Sequence, residues 1–142
     1  MKSIALLILV LLSVLSSPAD AGERTRSPDD AGLYFIAPHD GDIVSGEVVV
    51  RFGLHGMGVA PAGANNANTG HHHLLIDLEN LPVIDAPLPK TDQIRHFGGG
   101  QTETTLSLPP GTHTLQLLLG DHSHIPHDPM VISEKITITV VE

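Results

Sequence analysis

The chain has no cysteine among its 142 residues. This absence excludes disulfide bonds, thiolate metal ligands, a cysteine nucleophile and a lipid attached to an N-terminal cysteine. The chain also has no tryptophan, one tyrosine and three phenylalanines, which are too few aromatic side chains for a surface that stacks bases or sugar rings. Any metal site in this protein must therefore use nitrogen and oxygen donors.

Basic residues are scarce as well. Lysine and arginine number seven against sixteen aspartates and glutamates, and the formal net charge is −9. The few basic residues are scattered along the chain, so they form no patch that attracts phosphate groups. We therefore expect neither nucleic acid nor anionic lipid as a partner.

Long apolar runs are absent except at the start of the chain. Lys2 precedes an apolar run from Ile4 to Leu12, and small residues then lead to the triplet Ala19-Asp20-Ala21. This order is typical of a secretory signal peptide, whereas a membrane anchor needs about 20 mainly apolar residues. We predict a signal peptide over residues 1–21, cleaved after Ala21, and a periplasmic or secreted protein with no membrane span left after cleavage.

The rest of the chain predicts a single all-β domain. Residues 22–32 are polar and without periodicity, which indicates a flexible leader, and residues 33–142 form the domain. Alternation such as Ile136, Ile138, Val140 against Thr137, Thr139 indicates sheets with one buried face, and no helical period is present. We expect a small antiparallel β-sandwich whose strands are six short apolar runs: Leu33 to Ala37, Glu47 to Leu54, His72 to Leu78, Thr102 to Leu108, His113 to Gly120 and Ile136 to Val141.

Histidine is the residue type in excess. Eight of the ten histidines lie in three segments, around residues 71–73, 96 and 113–127, beside glycine or proline. The irregular stretch 53–70 leads directly into the first segment, and loops of such length are usually functional or disordered. We expect the three segments to meet at one end of the sandwich.

The spacing of these histidines permits a metal site. Residues i and i+2 of a strand share a face, so His71 and His73 can converge on one ion while His72 points to the other side. The pair His122 and His124 repeats that arrangement if the segment is extended. An all-imidazole set suits copper or zinc. The predicted metal ligands are His71, His73, His96, His122, His124 and His127, and the further site candidates are His72, His113, Asp121, Asp128 and Glu103.

Histidine also has structural uses, because it caps turns and donates to backbone carbonyls. We assign that role to His39 and His55, and His113, in phase with Leu115, is also compatible with a position at the edge of the core. Enzyme motifs are missing, and in the hydrolase-like stretch His122-x-His124-x-x-His127 a proline, Pro126, stands where an aspartate is expected. The sequence therefore favours a binding protein over an enzyme. The alternatives are a metal-free module that binds a cell-envelope component through the same surface, and a metal-dependent hydrolase.

Three blocks of the chain, Asn68 to Asp77, His96 to Glu103 and Leu117 to His127, resemble the bacterial domain of unknown function 4399. The resemblance extends over about Tyr34 to Val141. It implies a short exported protein with an immunoglobulin-like all-β domain, and it implies no particular activity or ligand.

Overall fold

A computed structural model describes residues 24–142 of the chain. The predicted signal peptide, residues 1–21, lies outside the described residues. Within residues 24–142 the regular structure consists of strands, and no helix there is long and apolar enough to cross a membrane. The strands are β1 (Gly32–Ala37), β2 (Ile43–Ser45), β3 (Val48–His55), β4 (Gly58–Val59), β5 (Thr69–Ile76), β6 (Ile94–His96), β7 (Glu103–Leu106), β8 (Gly111–Gly120) and β9 (Ile136–Val141).

The strands form two sheets. One is three-stranded, in the order β1-β3-β7, and the other is six-stranded, in the order β2-β9-β8-β5-β4 with β6 also paired to β5. The pairs β2–β9 and β4–β5 are parallel, and the remaining pairs are antiparallel. The all-β sandwich predicted from the sequence is confirmed, with short parallel strands added at the edges of the larger sheet.

The core lies between the two sheets because each strand alternates apolar side chains toward the other sheet. Val48, Val50 and Phe52 of β3 face Leu74 and other residues of the larger sheet in one continuous apolar cluster. β8 contributes to the same cluster with leucines at every second position. This alternation is the period-two pattern of the sequence.

Strand β5 is buried on both of its faces, which is unusual for an antiparallel sheet. Its inner face joins the main core, and on its outer face Leu75 packs with Leu118 of β8, Ile94 of β6 and Leu88 in a second apolar cluster. The segment between β5 and β6 covers this outer face. Side chains on either face of β5 are therefore removed from solvent.

All six predicted strands are present, with bounds that differ by a few residues. Three short strands, β2, β4 and β6, were not predicted, because three or fewer residues show no measurable periodicity. The stretch 53–70 is also less irregular than expected, since β3 extends to His55 and β4 lies within it.

The described part of the predicted leader is hydrogen-bonded to the domain. The Ser27 amide donates to the Asp128 carbonyl, and the Asp128 amide donates to the Thr25 carbonyl. The Arg24 guanidinium donates to the carbonyls of Pro126 and His127. Residues 24–27 therefore form a strap along the segment 126–129, which differs from the free leader that composition alone predicted, because these contacts are long-range in sequence.

Candidate metal site

The three consecutive histidines of β5 are divided between its two faces. His71 and His73 point to the outer face of the larger sheet, together with Leu75. His72 points inward, and the centre of its ring lies 5.0 Å from that of Phe52 in the main core. All three side chains are at most 1% exposed. The strand alternation thus brings two imidazoles together and separates the third from them.

Two further histidines complete a group on the outer face. His96 of β6 pairs in register with His73, so its ring is adjacent on the same face. His124 belongs to the turn after β8 and has a left-handed backbone with a φ of 69°. We call His71, His73, His96 and His124 the histidine cluster. Their rings are mutual neighbours, and suitable nitrogens of the first three lie within 4.8 Å of one another.

The separations within the histidine cluster match those of rings around one ion. Five of the six ring-centre distances lie between 4.6 and 5.1 Å, and the sixth, from His73 to His124, is 6.2 Å. Four imidazoles bound tetrahedrally, with metal–nitrogen bonds of about 2.0–2.1 Å, have ring centres about 5 Å apart. The four ring centres therefore lie close to the corners of a tetrahedron in which one edge, from His73 to His124, is elongated.

The ring nitrogens of the cluster are largely without partners. Both nitrogens of His71 and His73, and Nε2 of His96, are buried and make no hydrogen bond within the described residues. Leaving a buried polar atom unpaired costs about 1–3 kcal/mol. A bound ion would use one lone pair from each ring and so reduce this cost.

The electrostatics of the cluster favour neutral rings, which are the form that binds metals. Burial, followed by the charges of neighbouring histidines, lowers the pKa of His71 to about 4 and that of His73 to about 3. Burial, the neighbouring His124 and Lys90 also lower the pKa of His96. These three rings therefore hold no extra proton at neutral pH.

Asp121 shapes the turn that carries His124. Its Oδ1 accepts the amides of Ser123 at 2.8 Å and Ile125 at 3.0 Å, and its Oδ2 accepts the Thr25 hydroxyl at 2.6 Å. Burial acts to raise the pKa of Asp121, but these hydrogen bonds outweigh burial and hold it below its usual value. The carboxylate therefore supports the turn, with its oxygens already occupied.

The stretch between β4 and β5 also borders this region. The Ala62 amide donates to the Gly98 carbonyl and the Gly63 amide donates to the His122 carbonyl. It therefore connects the two segments that carry His96 and His124. This stretch lies within residues 53–70, whose length in the sequence predicted a functional or disordered loop, whereas Thr25 was not identified from the sequence, because no local pattern shows which distant segment it contacts.

Two predicted ligands lie apart from the cluster. His122 is half-buried in the same turn, and its side chain is not among the four mutually adjacent rings. His127 is fully buried, and burial lowers its pKa against the opposing effect of the Leu119 and Thr69 carbonyls. Neither carbonyl is aligned well enough to make a hydrogen bond with the ring. The structure therefore brings together four of the six predicted ligands.

The other site candidates have different surroundings. Asp128 is half exposed and forms ion pairs with Arg24 and Arg26. Glu103 lies on the three-stranded sheet, where it pairs with Arg51 at 3.2 Å. Neither carboxylate belongs to the group of residues with metal-binding geometry.

His113 has two hydrogen-bond partners of its own at the opposite end of β8. Its Nδ1 lies 2.7 Å from Asp77 Oδ2, and its Nε2 lies 2.8 Å from the Pro109 carbonyl. Both partners are acceptors, so this geometry favours the doubly protonated ring. The hydrogen bond to Asp77 raises the pKa of His113 above its ordinary value. His113 therefore links β8 to Asp77, the residue after β5, at this end of the larger sheet.

Comparison with known proteins gives a family but no activity. The family model described as domain of unknown function DUF4399 matches residues 50–141, which include the whole histidine cluster. The resemblance expected from about Tyr34 is thus found from Val50 onward. No curated protein matches the chain.

One solved structure is similar. It is the endo-β-1,4-mannanase from Thermotoga petrophila, with 17% sequence identity and a TM-score of 0.46. The match covers 80% of this chain and 20% of the enzyme. The chain therefore spans about a fifth of that protein, and this likeness supports no functional argument.

Proposed function

The chain belongs to the family of the domain of unknown function 4399, and we propose that it is an exported protein that binds one transition-metal ion, copper or zinc, in the histidine cluster. The observation that carries this proposal is the mutual distance of four imidazoles, three of which have buried nitrogens without a hydrogen-bond partner. Such an arrangement is costly when empty and is stabilised by a bound cation.

Export is supported by the residues at the start of the chain. Lys2, the apolar run from Ile4 to Leu12 and the triplet ending in Ala21 have the order of a cleaved signal peptide. We therefore propose a periplasmic or secreted location, where a site built from imidazole alone is unaffected by thiol oxidation.

The burial of the cluster favours metal binding over a metal-free interaction surface. A module that recognises a cell-envelope component through histidine needs rings that reach the partner, whereas His71 and His73 are at most 1% exposed. The exposed edge of the cluster consists only of the half-buried His96 and His124.

The carboxylates near the cluster favour binding over hydrolysis. A hydrolytic site keeps an open position for water and a carboxylate that removes its proton. In this protein Asp121 is the carboxylate whose charge acts on His71. Its oxygens accept hydrogen bonds from Thr25, Ser123 and Ile125. The ring of His124 also lies beside the three histidines with metal-binding geometry, where it is the candidate for the fourth ligand in place of water.

Calorimetric titration of the purified, tag-free protein with Cu²⁺ and with Zn²⁺ tests this function. We expect one equivalent to bind with a dissociation constant below about 10 µM, near −7 kcal/mol. The double variant His71→Asn, His73→Asn should lose this binding, since amides are weak ligands for either ion.

The matched control is His39→Asn, which removes an exposed ring outside the cluster. It should bind like the original protein, and circular dichroism should show that every variant is folded. Binding weaker than about 10 µM for Zn²⁺ and for copper in both oxidation states, with Cu⁺ titrated anaerobically, would contradict the proposal. A metal-free module would instead show unchanged metal content in the double variant together with a weaker pull-down of envelope components.

A further inference from the structure

The donor set of the histidine cluster contains no negative charge. Its members with metal-binding geometry are His71, His73 and His96, with His124 as the fourth adjacent ring. All are neutral donors when they bind a metal. The charge of the filled site is therefore the charge of the ion itself.

Burial raises the free-energy cost of placing that charge in the site. His71 and His73 are essentially unexposed, and the energy of moving an ion out of water rises with the square of its charge, so a dication costs about four times as much as a monocation. Lys90 adds a positive charge near His96. Asp121 is the carboxylate whose charge acts on His71, but it is not among the residues with metal-binding geometry, and its oxygens accept hydrogen bonds from Thr25 and two backbone amides.

Zinc bound by histidines alone often relieves this cost with a bound hydroxide, because three imidazoles leave a fourth position for water whose pKa falls to about 7. Here a fourth ring, His124, stands 4.6 Å from His96 and 5.0 Å from His71, measured between ring centres. With His124 as the fourth ligand, no coordination position is left for such a hydroxide. A zinc ion in this site would keep both positive charges.

The shape of the cluster is also unfavourable to the square-planar or tetragonal geometry of Cu²⁺. Four rings in one plane would place both diagonal pairs of ring centres about 6.3 Å apart, for metal–nitrogen bonds of about 2.0–2.1 Å. One diagonal, His73 to His124, is 6.2 Å, but the other, His71 to His96, is 4.9 Å. This geometry suits a d¹⁰ ion, which has no preference arising from its d electrons.

From charge and shape together we propose that the histidine cluster selects monovalent copper, Cu⁺, over Cu²⁺ and Zn²⁺. This inference rests on the proposed function, because it specifies which ion the same site holds. Three rings have mutual centre distances of 4.8–5.1 Å, and the fourth, His124, lies 6.2 Å from His73. Such a set provides the three- or four-coordinate nitrogen environment that Cu⁺ accepts.

Competition titrations of the purified, tag-free protein measure the selectivity. Cu⁺ is titrated anaerobically against bicinchoninate, and Zn²⁺ and Cu²⁺ are titrated against chromophoric chelators of matched affinity. We expect one equivalent of Cu⁺ with a dissociation constant at least 100-fold below that of either dication. A tighter affinity for Zn²⁺ or Cu²⁺ would overturn the inference and leave the proposed function intact, whereas no binding of any of the three would overturn both.

A charge-changing variant tests the cause. His124→Asp replaces one neutral donor by an anionic one, and aspartate tolerates the left-handed backbone at this position. It should raise the affinity for Zn²⁺ relative to Cu⁺ by at least 10-fold.

The matched control is His124→Asn, which has nearly the same shape and no charge. It should weaken the binding of both ions without the change in selectivity. If the two variants show the same ratio of Zn²⁺ to Cu⁺ affinity, the charge of the donor set does not determine the selectivity and the inference is wrong.

Discussion

His71, His72 and His73 have identical side chains in two different environments. Burial lowers the pKa of all three, to about 4, 4 and 3 in chain order. The rings of His71 and His73 face other imidazoles, while that of His72 packs against Phe52. For each residue, the face of the strand on which the side chain lies decides whether its ring is part of the histidine cluster or part of the core.

His113 shows the opposite electrostatic behaviour. Its pKa is raised by the hydrogen bond to Asp77, so its charged form stabilises the folded state. The stabilisation is complete below the ordinary histidine pKa of about 6.5 and is lost as the pH rises through the higher pKa of the folded state. This residue therefore stabilises the fold most strongly in mildly acidic solution.

We predict that His113→Ala lowers the free energy of unfolding by about 1–2 kcal/mol at pH 6, since Asp77 is partly exposed and its charge partly screened. The loss should be smaller at pH 9. Chemical denaturation at both pH values measures it, with His39→Ala as the exposed control. An effect that is equal at the two pH values would show that the ion pair contributes nothing.

At the scale of elements, the turn after β8 differs from its predicted form. The spacing His122-x-His124 places both rings on one face only in an extended strand. Here the Asp121 amide donates to the Ile125 carbonyl, and the His124 amide donates to the Asp121 carbonyl. The chain is therefore a turn, and it delivers only His124 to the cluster.

Asp121 holds that turn, so its substitution should affect metal binding without removing a ligand. Asp121→Ala leaves the Ser123 and Ile125 amides without their acceptor, and we expect the metal affinity to fall by about 10- to 100-fold. Asp121→Asn keeps one carbonyl oxygen for these amides and should bind more tightly than the alanine variant. Competition titration of both proteins measures the difference, and equal affinities would contradict this role of the carboxylate.

At the scale of the whole molecule, the histidine cluster joins segments that are far apart in the chain. β5, β6 and the turn after β8 supply the rings, and the strap 24–27 holds the neighbouring segment 126–129. An ion that binds only the folded arrangement stabilises all of these segments together. At a free concentration of 100 times the dissociation constant, this adds about 2.7 kcal/mol.

We predict that two groups of histidines make the stability of the metal-free protein fall in opposite pH directions. As the pH drops from about 6.5 toward about 4, the unfolded chain takes up protons that the buried histidines do not accept when folded, and these are His71, His72, His73, His96 and His127. As the pH rises above the ordinary histidine value, the contribution of His113 is lost.

Denaturation midpoints measured in a chelating buffer from pH 5 to pH 9 test this profile. The double variant His71→Asn, His73→Asn should make the decline on the acidic side shallower without removing it, because His72, His96 and His127 remain, and His113→Ala should flatten the basic side alone. A profile that declines in one direction only, or a variant that flattens the wrong side, would contradict the assignment.

The sequence by itself determined the strands and the separation of His72 from its neighbours. Period-two alternation is a local property of β structure, as in Ile136, Ile138 and Val140, and the β5 histidines follow the same rule. The lack of cysteine likewise excluded thiolate metal ligands. These properties follow from residue types and their order alone.

Only the tertiary structure decided which histidines meet. The register of β5 with β6 places His96 beside His73, and a turn closed by Asp121 brings His124 to them while His122 and His127 stay apart. Strand register and turn geometry depend on contacts between residues far apart in the chain. A local pattern contains no information about such contacts. The sequence therefore indicated the type of ligand, and the tertiary structure determined which histidines form the cluster.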